Sequence, residues 1–107
     1  MSITSPFQPR KGANQKVTAS TTSAVITIGA GSKSVRAMNA GGQVVYFRTF
    51  RAADGVEVAT SADTPVATSG AAGSVLIIEK PQDHDSIAYV ADSATPTINF
   101  QPGEGGC

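Results

Sequence analysis

Short runs of β-branched and aromatic residues, each closed by glycine, proline, asparagine or aspartate, recur along this chain about every 8 to 12 residues, and no stretch repeats apolar positions at helical spacing. Val17 and Ala19 alternate with Lys16, Thr18 and Ser20. The segment Ala24 to Ile28 stops at Gly29, Ala30 and Gly31. Val35 to Asn39 and Val44 to Phe50 flank Asn39, Ala40, Gly41 and Gly42, a hairpin pattern whose turn residues tolerate positive φ. Val56, Glu57 and Val58 alternate after the turn at Asp54 and Gly55. Val75 to Ile78 is continuously apolar, as in a strand covered on both faces or at an interface. Pro81 to Asp85 marks a turn before the strands Ile87 to Ala91 and Thr97 to Gln101.

Seven to nine short strands in 107 residues predict an all-β fold of one domain with an extended N-terminal arm, its body a β-sandwich, a jelly roll or a small barrel, among which strand spacing does not choose. The expected division is an arm over residues 1–15, a sandwich over 16–101 and a flexible C-terminal tail over 102–107. Pro6 and Pro9 keep the arm extended, and Phe7, Arg10 and Lys11 form its expected partner-binding anchor, one bulky group beside two cations. No fixed-period repeat points to a propeller or solenoid.

The core has few large side chains to draw on: four Phe, two Tyr and no Trp. Aromatic residues bury the most area each, so contacts within a homo-oligomer are expected to supply part of the stability. Charge is segregated along the chain. Arg10, Lys11, Lys16, Lys33, Arg36, Arg48 and Arg51 precede every acidic residue, whereas Asp54, Glu57, Asp63, Glu79, Asp83, Asp85, Asp92 and Glu104 follow with Lys80 as the one cation among them. The two parts carry +7 and −7. Folding either interleaves these charges or leaves a dipole that steers head-to-tail association.

No chemistry-bearing constellation is legible. Asp83, His84, Asp85 and Ser86 are consecutive, and neighbours on an extended chain face opposite sides, so they read as a solvated turn rather than a triad. Gly29 to Ser34 fails as a phosphate loop because Ser32 separates Gly31 from Lys33 and a strand follows. Tyr46 to Arg51 interleaves aromatics with cations as single-strand nucleic-acid platforms do, but the domain is neutral, and the segment reads as one strand. Catalytic, cofactor and metal residues are therefore expected to be none, with no nucleic-acid or membrane partner. No apolar run approaches the roughly 20 residues of a membrane helix, and no secretory signal precedes Arg10. Cys107, the single cysteine, allows no internal disulfide.

The basic arm from Ile3 to Gln15, the stretch Val35 to Arg48 with its Asn39 to Gly42 turn, Thr60 to Pro65 leading into Val75 to Pro81, and Gln101 to Gly106 together resemble small virion structural proteins of tailed bacteriophages. The resemblance covers most of the chain and is one of layout. It implies a β-sandwich subunit, often jelly-roll-like and commonly a dimer or trimer, made in the host cytoplasm, that decorates or cements the outer surface of a capsid, with the major capsid protein or other virion subunits as partners. Alternatives are a tail, connector or fibre-associated subunit and, from another class, a carbohydrate-binding module.

Overall fold

The computed structural model describes residues 8–9, by backbone alone, and residues 14–29, 31–71 and 73–104. Among the described residues nine strands run β1 (Gln8–Pro9), β2 (Gln15–Thr18), β3 (Ala24–Thr27), β4 (Ser34–Asn39), β5 (Val45–Phe50), β6 (Thr64–Val66), β7 (Val75–Glu79), β8 (Ser86–Ala91) and β9 (Thr97–Glu104). A 3₁₀ turn at Ala52–Asp54 is the one helical element among the described residues. The strands form a two-sheet antiparallel β-sandwich. One sheet has the order β1-β9-β4-β7 with β2 also on β9, and the other has β3-β8-β5-β6.

Pairing follows a nested rule. β5 lies on β6, β4 on β7, β3 on β8 and β2 on β9, as if the chain were one long hairpin with its tip between β5 and β6. Contacts of β9 with β4 and of β8 with β5 then join these pairs into the two sheets. From β2 onward, every step along the chain except β5 to β6 crosses from one sheet to the other.

This order corrects the hairpin expected across the Asn39 to Gly42 turn. β4 and β5 are well-formed strands, but they belong to different sheets, and the segment between them is a corner. The buried Asn39 side chain builds that corner: Nδ2 donates to Gln43 O at 2.6 Å and to Val66 O at 3.3 Å, while Oδ1 accepts from Gly41 N at 2.9 Å. Gly41 is needed for close approach, since a Cβ there would meet the Pro96 side chain and come within 2.7 Å of Pro96 Cα.

The core lies between the sheets. Val35, Ala37, Ile98 and Phe100 from one sheet meet Val45, Phe47, Ile87, Tyr89 and Ala91 from the other. Phe100 stacks obliquely on Phe47 and Tyr89, with ring centroids 5.4 and 5.8 Å away. A second, smaller cluster of Phe50, Ala59 and Ala88, with Val90 against it, packs separately from this core.

Four further expectations change. Val56 to Val58 is no strand; it pairs with no sheet, and Val56 and Val58 are 75% and 62% exposed. Of the two readings of the apolar run at Val75, cover on both faces does not hold: β7 is an edge strand, covered through Leu76 and Ile78 while Val75 stays 48% exposed. The last strand continues past Gln101 to Glu104, with Pro102 and Gly103 buried, so residues 102–104 belong to the sandwich rather than to a tail. At the other end, Gln8 pairs with Glu104 and Pro9 with Gly103, and Gln15 opens β2, so these positions of the expected arm are strand.

Candidate functional site

Two polar clusters hold the loops of the sandwich in place. The first centres on the turn between β7 and β8. Lys80, only 6% exposed, donates from Nζ to Ser32 O and His84 O, each at 2.7 Å, and to Pro81 O at 3.4 Å. The turn is also tied to the β3–β4 connection: Asp85 O accepts from Ile28 N and Gly29 N, and Gln82 O from Gly31 N. These bonds satisfy backbone groups that a buried corner would otherwise strand without partners.

Within this cluster the Asp83 to Ser86 quartet does not converge. The His84 ring meets Thr49 Oγ1 through Nδ1 at 2.9 Å. The Asp85 carboxylate accepts from Ala52 N at 3.0 Å and from the buried Ser86 hydroxyl at 3.1 Å. Asp83 is exposed. Ser86 and His84 therefore take different partners, the Ser86 hydroxyl the Asp85 carboxylate and the His84 ring Thr49. Among the described residues no group of three or more His, Cys, Asp and Glu is placed to hold a metal ion. Gly31 to Ser34 leads into β4, not into a helix, so it lacks the phosphate-binding geometry.

An open groove of about 500 Å³ runs beside the turn, lined by Lys33, Glu79, Lys80, Pro81 and Gln82. It offers opposite charges at Lys33 and Glu79, and the Lys80 ammonium is already engaged by carbonyls. A second depression of about 290 Å³ lies between residues 40–43 and 94–97.

The second cluster centres on Arg48, which the sequence pattern placed in an aromatic-cationic strand. Phe47 and Phe50 on either side of it are buried, so the strand carries no stacking platform there. Arg48 instead grips Asp63 through Nε at 2.9 Å and Nη2 at 2.8 Å, and Glu57 through Nη1 at 3.1 Å. Asp63 also accepts from Thr60 N at 2.8 Å. With the Arg51–Asp54 contact at 3.7 Å, these pairs join the early cations to the later carboxylates, so the folded chain interleaves its charges in this region.

Protonation states follow the contacts. Partial burial pushes the Asp63 carboxyl up, but the Arg48 guanidinium and the Thr60 N–H outweigh it and hold the group below the ordinary carboxylate range. The Ala52 N–H does the same for Asp85, aided by the Ser86 hydroxyl. A carboxyl lowered by folding stabilises the native state above its unfolded value of about 3.9, and that contribution disappears as pH falls through the folded value. The melting temperature should therefore show no loss from these groups between pH 7 and 5 and should fall below about pH 4. Asp63→Asn should flatten part of that acid limb in thermal melts; an unaltered limb would assign the acid sensitivity elsewhere.

Of the expected anchor residues, Phe7, Arg10 and Lys11 all lie outside the described residues, as does Cys107. Comparison with protein-family models, with characterised proteins and with solved structures yields no match. The fold and the two polar clusters are thus the ground on which a function is argued.

Proposed function

We propose that this chain is a non-enzymatic structural subunit of a tailed-phage virion, a decoration or cement protein that binds the outer surface of the head and stabilises it. The observation that carries the reading is the strand order. The five-stranded layer β1-β9-β4-β7, with β2 also on β9, and the four-stranded layer β3-β8-β5-β6 nest as one long hairpin folded upon itself, an order that supports reading the sandwich as a jelly roll. Jelly rolls recur in viral capsid and lectin domains. This is an argument from fold analogy, and it is joined by the character of the polar groups, which are spent on fastening loops rather than gathered around a reactive point.

The lectin branch of the same analogy has less support. Sugar recognition leans on exposed aromatic faces, and among the described aromatics only Tyr46 is not buried. The resemblance in sequence layout favours the capsid branch, with the major capsid protein as partner and a dimer or trimer as the attached form.

In this reading the N-terminal segment makes the attachment, through Phe7, Arg10 and Lys11. The triple variant Phe7→Ala, Arg10→Ala, Lys11→Ala should keep the far-ultraviolet circular dichroism of the parent and lose at least tenfold in co-sedimentation with heads that lack the protein. Unchanged co-sedimentation would remove the segment as the anchor. Cryo-electron microscopy of particles carrying the chain should place it on the head; density confined to the tail would reject the decoration role.

A further inference from the structure

Residues 51–63 leave the end of β5 and return at β6 by crossing the outer face of the second sheet. Phe50 and Ala88 sit on that face, since the Phe47–Tyr89 pair points into the main core and Ala88 lies one ladder pair and Phe50 three ladder pairs from it. Yet Phe50 is 1% and Ala88 0% exposed, because Ala59 of the crossing segment packs on them. Such a crossing usually fastens itself by backbone ladders. Here the backbone–backbone hydrogen bonds of the described residues 52–63 all close within the segment: Asp54 N to Arg51 O, Gly55 N to Ala52 O and Asp63 N to Thr60 O. Its attachment to the sandwich runs through side chains.

Those attachments are few. Arg48 on β5 reaches Glu57 and Asp63, Ser23 Oγ accepts from Ala59 N at 2.9 Å, and Asp85 accepts from Ala52 N. Arg48 supplies every salt bridge between the segment and the strands among the described residues. Glu57 points to Arg48, which leaves Val56 and Val58 as the exposed pair on either side of it. Only the small Ala59 methyl is buried from the central part of the segment, and Gly55, at φ +111°, lets the chain turn out of the 3₁₀ element without strain. A segment with few buried apolar contacts and side-chain fastenings belongs to the low end of local stability within a fold.

We propose that residues 51–63 form a strap clasped by Arg48, and that releasing the clasp uncovers Phe50 and Ala88 while the sandwich beneath stays folded. The uncovered strip is continuous with Val90, which packs on the same cluster, and with Val25, which pairs with Ala88 and is already 40% exposed. Closed, the strap keeps that strip dry. Open, it presents an apolar face that the nested strands hold in place without the strap's help, because β5, β8 and β3 are bonded to one another directly. This device stands independently of what the chain attaches to.

Thiol labelling of the full chain in a Cys107→Ser background tests it. A probe introduced as Ala59→Cys, at a position 4% exposed, reports strap opening, and Ala37→Cys, at 0%, reports opening of the main core. Adding Arg48→Ala should speed modification of the A59C thiol at least tenfold and leave the A37C rate unchanged. Asp63→Asn, which keeps the arginine, should speed the A59C probe at least threefold and serves as the test should Arg48→Ala fail to fold. Equal acceleration of both probes would show that the clasp holds the whole sandwich, and an unmoved A59C rate would show that Arg48 clasps nothing; either result overturns the proposal.

Discussion

Phe100→Ala should cost about 3–5 kcal/mol, the range for deleting a large ring from a core that does not collapse around the gap. The position favours the upper part of that range. Phe100 is fully buried on β9 and is the ring through which the first sheet meets Phe47 and Tyr89 of the second. Phe47 and Tyr89 are themselves core rings on paired strands, so moving either into the space opens another gap. Against a total stability of about 5–15 kcal/mol for a single domain, the loss is a large share. Urea titration followed by circular dichroism should show the midpoint falling with little change in slope. Phe50→Ala offers the internal comparison: its ring lies in the small outer cluster, where the residue 51–63 segment is able to settle, and it should cost less than the Phe100 change. A Phe100→Ala cost below about 1 kcal/mol would mean that the sheets are held together by something other than the aromatic contact.

The positions of β3, β4, β5, β7, β8 and β9 are legible in the sequence because β-branched residues bounded by turn formers specify an extended segment locally. Their partners are not. Alternation assigns faces, but it carries no information about which strand lies alongside, and a corner between sheets uses the same Asn and Gly residues as a hairpin turn. The Asn39 to Gly42 stretch resolves toward a corner through contacts far away in sequence, namely Asn39 with Val66 and Gly41 against Pro96. Val56, Glu57 and Val58 carry a strand's alternation, yet they pair with no strand, and Glu57 bonds to Arg48 across the sheet face instead. Proline and glycine at 102 and 103 read as an end to structure. They are tolerated because β2 stops pairing at Phe100 and β1 starts at Gly103, so among the described residues Pro102 has β4 as its one neighbour and needs no second ladder bond.

The clusters that fix the loops were visible only as isolated oddities. Lys80 stands out in the sequence as the single cation in the acidic part of the chain, two residues after an apolar run, and nothing local says that its amine turns inward to a carbonyl 48 residues away, that of Ser32. That placement makes Lys80→Met the second substitution with a large expected effect. Methionine keeps most of the stem volume and removes the donors, so the packing change is small and the loss is chiefly polar. Ser32 O and His84 O would lose their 2.7 Å donor in a buried setting, and a buried acceptor stripped of its partner costs about 1–3 kcal/mol. The sum is expected to reach about 2–4 kcal/mol, since the two carbonyls lie in one network and do not add fully. The damage should be local first. Gly31 N bonds to Gln82 O, and Ile28 N and Gly29 N bond to Asp85 O, so the amides of the β3–β4 connection should exchange with solvent faster than those of β4 itself. Lys80→Arg should not rescue, because a planar guanidinium cannot take the place of a compact ammonium among three closely set carbonyls. Lys33→Met, an exposed neighbour on the same groove, controls for loss of charge and should stay within about 0.5 kcal/mol. If Lys80→Met and Lys33→Met prove equally mild by urea titration, the Lys80 ammonium does not staple the corner, and the turn between β7 and β8 is held by its backbone bonds alone.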